Sequence, residues 1–392
     1  MVVTHALRTP IGRYLGTLAD WSAADLGSAV VRAVLERARI DADEVGELVF
    51  GNARQAGGGP NVARQIAVRA GLPVTVPAWT VNMACGSGLK ALALAVESVE
   101  LGRAEVAVAG GVESMSSLPF LLPRMRRGYR LGHAPVVDAM YQDGFQCPMS
   151  NMLMGETAEK LARELDIPRG EQDRFALDSQ KKAAAAQAAG RFEAEIAPLK
   201  VKGKGGETTF ATDEHVRGDA TLDGLGRLAP VFDVQNGTVT AGNSSGITDG
   251  AAALLVMGAG KAEALGLEPL AEVGAAVQVG LEPSVMGLGP VPACRALEEA
   301  NGIAVRAYDL VELNEAFAAQ VLACQRELSI PAERLNVNGG AIALGHPIGA
   351  TGARIAVTLL HELARRSGRN GLATLCISGG LGFAAAFHRR GA

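Results

Sequence analysis

Short apolar runs that end in glycine-rich turns, each followed by a helical pattern, recur along this chain and constrain its fold more than any other feature. Val45 to Phe50 is one such run, ending at Gly51-Asn52, and Ala78 to Met83 is another, ending at Cys85. Apolar residues then fall at Leu89, Leu92, Val96 and Val99, with alanine on most other faces, which predicts a buried helix that Gly102 stops. Val106 to Ala109 reads as a strand running into Gly110-Gly111. Buried parallel strands alternating with helices point to a layered α/β fold.

The last hundred residues repeat this grammar. Leu310 to Leu313 predicts a strand feeding a helix from Glu315; Gly349 to Leu363 predicts a helix, and Gly371 to Ile377 a strand ending in Gly379-Gly380. The recurrence lacks sequence identity and predicts two similar α/β halves facing each other. Between them, from about Leu118 to Thr240, lie basic loops (Arg124, Arg126, Arg127, Arg130), helical stretches at Glu156 to Leu165 and Glu171 to Gly190, and a Lys/Gly segment from Lys200 to Gly206. Strand-like runs are scarce there, so this segment is expected to be an inserted lobe of helix and loop.

Composition narrows the function classes. At 48% apolar and 20% charged residues, the 392-residue chain has material for a large core, which excludes disorder. Its 37 basic residues against 41 acidic ones give no basic excess, so a dedicated nucleic-acid binder is not expected. Apolar stretches are interrupted before about 18 residues, so no transmembrane helix is expected. Met1 to Pro10 lacks the charged head and apolar run of a signal peptide. Five cysteines without paired CxxC spacing predict reduced thiols in the cytoplasm and no zinc site.

Four turns carry candidate chemistry. In Asn82-Met-Ala-Cys85-Gly-Ser-Gly88 a cysteine sits at a strand-to-helix elbow, where free N–H groups favour a thiolate. It reads as a nucleophile or as an inert buried thiol. In Asn338-Gly-Gly-Ala-Ile-Ala-Leu-Gly-His346-Pro, the histidine lies between glycines just before a helix. It is a structural residue or a base for Cys85. In Cys376-Ile-Ser-Gly-Gly-Leu-Gly382, a second cysteine ends a strand, which suggests either a pocket shared with Cys85 or a redox pair. In Glu312-Leu-Asn314-Glu315-Ala-Phe317, Asn314 and Glu315 are placed to orient a water or a carbonyl, or to cap a helix.

Together these segments resemble the thiolases, a family that includes acetyl-CoA acetyltransferases and 3-ketoacyl-CoA thiolases. Arg8-Thr-Pro-Ile-Gly12, Asn61-Val-Ala-Arg64-Gln, Ala109-Gly-Gly-Val-Glu-Ser-Met115, Met154-Gly-Glu-Thr-Ala158-Glu, Thr240-Ala-Gly-Asn-Ser-Ser-Gly246 and Met286-Gly-Leu-Gly-Pro290 extend the likeness along nearly the whole chain. The resemblance implies a five-layered α/β/α/β/α fold with two βαβαβαββ halves. It places the first half at 1–117 plus about 241–267, an inserted loop domain for coenzyme A and oligomer contacts at 118–240, and the second half at 268–392.

The implied reaction is reversible Claisen condensation or thiolysis between CoA thioesters, with CoA as substrate and no permanently bound cofactor. Cys85 would carry the acyl group, His346 would activate it, and Cys376 would move a proton at the α-carbon or the CoA sulfur. Asn314 would hold a water completing one oxyanion hole; the backbone N–H groups of Cys85 and Ser378 would form another. Ser245 matches a pantetheine contact, Arg217 and Phe232 match positions near the nucleotide end, and Ala316 and Phe317 match positions near the thiol end. Ala241, Met154 and Met286 complete the implied CoA contacts. A homodimer or homotetramer is implied. The arginines at 124–130 read as a solvated or subunit-contacting loop, with attraction of CoA phosphates as the alternative.

Two positions depart from the family pattern. Ser378 stands where a glycine is usual, so strain from a positive φ is expected there. Leu153 stands where many short-chain enzymes carry an aromatic residue or histidine, which argues against strict acetoacetyl-CoA specificity. Cys147, Cys294 and Cys324 match no functional motif and read as ordinary thiols. The competing readings are a decarboxylating ketosynthase-type enzyme and a non-catalytic acyl-CoA-binding scaffold.

Overall fold

The computed structural model describes residues 1–203 and 205–389. The first half runs β1 (Val2–Arg8), α1 (Ala23–Ala38), β2 (Glu47–Gly51), α2 (Val62–Ala70), β3 (Ala78–Val81), α3 (Ser87–Glu100) and β4 (Val106–Ser114). After the insertion, whose main helices are α4 (Met154–Glu164) and α5 (Arg169–Ala188), β5 (Thr248–Met257) completes this half. The second half runs β6 (Ala271–Gly280), α6 (Pro290–Asn301), β7 (Leu310–Leu313), α7 (Ala318–Leu328), α8 (Ile348–Arg366), β8 (Asn370–Ile377) and β9 (Leu381–His388).

The strands pair in the order β7-β8-β9-β6-β1-β5-β4-β2-β3. Only Val2↔Glu272 and Val3↔Ala271 join the halves at the β1–β6 seam. The sheet is mixed: β2 is parallel to β3 and β4, and β7 to β8, while the remaining ladders are antiparallel. The expectation of parallel strands therefore holds only within each βαβ unit, where a helical crossover forces it.

Alternation along the strands generates the layers. Leu48, Phe50, Val106 and Val108 face α1 and α2, packing on Leu26, Val30, Val34 and Ile66. Their neighbours Val49, Ala107 and Ala109 face inward onto Leu89, Leu92 and Val96 of α3 and Ala356, Leu359 and Leu360 of α8. Ala373, Leu375, Phe383 and Phe387 cover the same helix pair from the other side. Leu372, Ala384 and Ala386 point outward to Val291 and Leu297 of α6 and Val321 and Leu328 of α7. The result is the expected five-layered α/β/α/β/α order.

The second half departs from βαβαβαββ at one point. Where its third strand belongs, there is a single parallel bridge, Val311↔Leu335. The next residue, Asn336, has φ +44°, and its side chain replaces the ladder. Its Oδ1 accepts from the Leu313 N–H at 2.9 Å and its Nδ2 donates to the Leu313 carbonyl at 2.8 Å. The helix expected from Glu315 starts instead at Ala318, so neither Asn314 nor Glu315 caps it.

The inserted segment contains α4 and α5, close to their expected positions, and two small antiparallel ribbons. One of these, Leu199–Gly203 with Gly206–Phe210, occupies the Lys/Gly segment. A fully buried Arg8 ties the insertion to β1, with Nη1 2.6 Å and Nη2 2.8 Å from the Asp213 carboxylate and Nε 2.6 Å from Glu195. Among the described residues no helix is long and apolar enough to cross a membrane.

The central helices touch almost backbone to backbone. A Cβ on Gly352 would lie 2.8 Å from the Leu89 Cβ, with the Leu89 N–H nearer still. Glycine to alanine inside a helix ordinarily stabilises by about 0.5–1 kcal/mol. Here overpacking costs roughly 1–3 kcal/mol and should win. Gly352→Ala is expected to lower the urea midpoint; a raised midpoint would show that the helices have room to separate.

Candidate active site

Strand β3 ends at Val81, and the chain turns through Asn82-Met83-Ala84 to present Cys85 just before α3. Ala84 has φ +45°, a conformation that costs a non-glycine residue about 1–3 kcal/mol. Side chains on both sides of the turn hold it. Asn82 Oδ1 accepts from the Ala84 N–H at 3.0 Å, and Ser87 Oγ donates to the Ala84 carbonyl at 2.7 Å while accepting from the Met83 N–H at 2.9 Å. This strain is not legible in the sequence, because alanine, unlike glycine, does not mark a positive φ.

His346 enters from the opposite half, before α8, with its N–H on the Gly246 carbonyl at 2.9 Å. Its Nδ1 is 2.6 Å from Thr351 Oγ1, which lies 3.0 Å from the Pro347 carbonyl. A hydroxyl has one proton, and a carbonyl can only accept. Thr351 therefore donates to Pro347 and accepts from His346 Nδ1–H, leaving Nε2 with its lone pair. Burial, reinforced by the charges of Arg354 and Arg54, pushes the imidazole down to about 3. It is neutral at physiological pH.

Burial also raises the Cys85 thiol, against the pull of Arg54 and of the Ser378 and Cys85 backbone N–H groups at the sulfur. This corrects the expectation of a favoured thiolate: desolvation outweighs the helix terminus. Cys376, 1% exposed at the end of β8, is raised well above an ordinary thiol by burial, then by the charges of Cys85 and Cys324. Both thiols thus lie above an ordinary thiol, beside a neutral imidazole.

A cavity of about 490 Å³ joins these groups. Cys85, His346, Cys376 and Ser378 line it, as do Met154, Arg217, Phe232, Ala241, Ser245, Met286, Ala316 and Phe317. Phe232 and Phe317 meet edge to face at 6.4 Å, and the Ser245 N–H donates to the Ala316 carbonyl at 3.0 Å. Asn314 does not reach the wall. It lies behind it, 1% exposed, with both amide atoms lacking a partner among the described residues, the signature of a site for an ordered water. Glu315 turns away, accepting from Ser179 Oγ at 2.7 Å, Asn336 Nδ2 at 2.9 Å and the Ile342 N–H at 3.1 Å, so it orients no substrate group.

Ser378 escapes the expected strain, because the positive φ angles fall on Gly379 (+92°) and Gly380 (+83°). The arginines at 124–130 are exposed and do not line the cavity. Arg54, Tyr141, Phe145 and His215 do, and sequence reasoning missed them. His215 had a legible signal, standing two residues before Arg217 in the insertion. Cys147 is less ordinary than expected. Burial opposes ionisation, but the Ser150 hydroxyl and the backbone N–H groups of Ser150, Met149 and Gly379 outweigh it and lower the thiol. Cys294 and Cys324 are buried, burial pushing the first up to about 12 and also raising the second, as inert core thiols should be.

Two outcomes follow for the free protein. A raised Cys85 thiol has little thiolate at neutral pH, so its alkylation by iodoacetamide should accelerate steadily as pH rises past 9. A plateau near pH 7 would instead mean a resting thiolate–imidazolium pair. Thr351→Val should lower turnover by about tenfold or more through loss of the tautomer, while Thr351→Ser retains it. Steady-state kinetics of the two variants distinguish a hydroxyl effect from a packing effect.

Comparison with known proteins agrees with this geometry. The family described as thiolase, N-terminal domain, matches residues 1–260, and thiolase, C-terminal domain, matches residues 267–389. An acetyl-CoA acetyltransferase of Cupriavidus necator is 50% identical over 100% of this chain and 99% of its own. One from Pseudomonas aeruginosa is 51% identical over 98% of each. The crystal structure of the Bacillus anthracis acetyl-CoA acetyltransferase superposes with a TM-score of 0.96 at 42% identity, covering 99% of this chain and 98% of that one. Human mitochondrial 3-ketoacyl-CoA thiolase gives 0.96 at 39% identity with the same coverage. Full-length likeness of this order, on a chain whose two halves bring Cys85, His346 and Cys376 to one cavity, makes it a member of the thiolase family.

Proposed function

We propose that the protein transfers acetyl groups between CoA thioesters, joining two acetyl-CoA into acetoacetyl-CoA and CoA, or running the same steps backwards as thiolysis. The observation that carries this reading is the convergence of two thiols and a neutral imidazole of fixed tautomer on one cavity. His346 Nε2 takes the Cys85 proton as the sulfur attacks the thioester carbonyl. The acyl group passes to Cys85, and Cys376 protonates the departing CoA sulfur. The Cys376 thiolate then removes an α-proton from the second acetyl-CoA. The enolate attacks acyl-Cys85, and the released sulfur regains its proton from His346.

Negative charge develops on oxygen in both halves of the reaction. The Cys85 and Ser378 amides serve one oxyanion, and His346 with an Asn314-bound water serves the other. Removing one such donor typically costs about 2.7–4 kcal/mol. A decarboxylating ketosynthase uses a second histidine or other acid–base groups where this chain has Asn314 and Cys376. A scaffold has no need of the full set.

The short-chain preference rests on the acetyltransferase names of the relatives and on packing beside the nucleophile. Cys85 abuts a cluster of buried Ala53, Met115, Met140 and Ile348, with Phe145 and Ile247 against it. A long acyl chain would have to displace these side chains. We assign 1–117 with about 241–267, and 268–392, to the two catalytic halves, and 118–240 to the nucleotide end of CoA, near Arg217 and Phe232. Exposed Phe120, Met125 and Leu131 around the arginines of that insertion support contact between copies, in a homodimer or homotetramer; the unpaired cysteines favour the cytoplasm.

Thiolysis of a 3-ketoacyl-CoA series tests the reading. Turnover is expected to be greatest with acetoacetyl-CoA, to fall with chain length, and to vanish in Cys85→Ala and Cys376→Ala. A maximum at long chains would assign a broad-range oxidation enzyme instead, and no turnover at any length would remove the thiolase activity itself.

A further inference from the structure

Glu113 lies in β4 with no exposure, and it does not line the cavity. Its carboxylate accepts four hydrogen bonds. Oε1 takes Asn52 Nδ2 at 2.7 Å and the Arg54 N–H at 3.0 Å; Oε2 takes the Ala53 N–H at 3.2 Å and the Gly349 N–H at 2.8 Å. Three of these donors belong to the turn after β2, in the first half. The fourth opens α8 in the second half, three residues after His346.

The β2 turn leads onward to the nucleophile. The Ala53 carbonyl accepts from Asn82 Nδ2 at 3.1 Å, and Asn82 Oδ1 holds the Ala84 N–H of the strained elbow. An unbroken chain of bonds thus runs from the start of α8 through Glu113, Ala53 and Asn82 to the residue before Cys85. We propose that Glu113 is a positioning residue that fixes the His346-bearing turn against the Cys85-bearing elbow. This inference rests on the reading of Cys85 and His346 as nucleophile and base.

The residue type follows from the donors. Four N–H groups converge on one buried point, and a carboxylate is the side chain that offers only acceptors, with about four lone-pair sites. Glutamine would turn an NH2 group against two of those donors. Aspartate is one methylene too short to reach both turns. Arg54 packs beside the carboxylate, donates to the Asp143 carbonyl at 3.0 Å and lies over the Phe145 ring at 5.7 Å, so the same cluster also shapes the cavity wall.

The test uses Glu113→Gln and, because that variant removes a buried anchor, Asn82→Asp as well. Asn82 is exposed, and its aspartate keeps the bond to Ala84 but loses the donor to Ala53. Two readouts apply: the rate of Cys85 alkylation by iodoacetamide, and kcat per alkylatable Cys85 in thiolysis of acetoacetyl-CoA. Misplacement of a catalytic group by about 1 Å costs on the order of 100-fold. Glu113→Gln is expected to lower kcat at least tenfold with the KM for CoA within about twofold, and Asn82→Asp to slow alkylation several-fold. A Glu113→Gln protein with wild-type kcat per Cys85 overturns the proposal, whatever its Tm, as does unchanged alkylation in Asn82→Asp. Alkylation is read without substrate, so a failure of the thiolase reading would show separately, as a wild-type protein that alkylates normally and turns nothing over.

Discussion

The contact between α3 and α8 governs the rest of the molecule. Gly88 faces Ala353 and Gly352 faces Leu89, so neither helix can move away without opening a void in the middle layer. Each helix comes from a different half, and each begins at the same place. Cys85 directly precedes one and His346 directly precedes the other. Close packing of two helices therefore delivers a thiol and an imidazole from residues some 260 apart to a common point. Other glycines extend this economy of space: a Cβ on Gly111 would run into the backbone at Gly349 and Ala350, at the first turn of α8.

A site built at the centre of an apolar layer inherits that layer's electrostatics. Charge is expensive there, so the resting groups are neutral: burial raises both thiols and lowers the imidazole. This arrangement suits chemistry in which charge appears only as bonds break. The Ser378 and Cys85 amides already act on the Cys85 sulfur, so under the proposed reaction their dipoles would need no reorganisation when an oxyanion forms beside it. The same burial raises Cys294 and Cys324, so what separates Cys85 and Cys376 from these is a cavity wall rather than depth in the fold.

The glycine turns were legible because glycine marks the places where backbones meet or φ turns positive. That signal pointed to the turns carrying Cys85, His346 and Cys376, which line one cavity, and the strand–helix alternation located the layers. Reading failed where a side chain did the work of a backbone, or the reverse. Asn336 substitutes for a strand by bonding both polar groups of Leu313, and nothing in its neighbourhood announces that. Glu315 reads as a site residue from its place beside Asn314, yet its carboxylate serves Ser179, Asn336 and the Ile342 amide. Ser378 reads as strained only if the turn bends at its position, and it bends one residue later. Glu113 stands in the Ala109–Met115 segment that resembles the family, but its proposed positioning role is not legible there, since its donors lie far from it in sequence, at 52–54 and 349, and three of them are main-chain groups.

The insertion reaches the chemistry by a route that its composition hides. Its basic run is exposed, but the Gly379 N–H, one residue past Ser378, is among the groups that lower its Cys147 thiol. Glycine at 379 is required by φ +92°, and a Cβ there would come within 3.0 Å of Met149 Cε. The turn that carries the Ser378 amide is thus held from two directions: by β8 and β9, which it connects, and by the 147–150 loop of the insertion. A segment with little chemistry of its own is thus packed closely against the turn that carries Ser378.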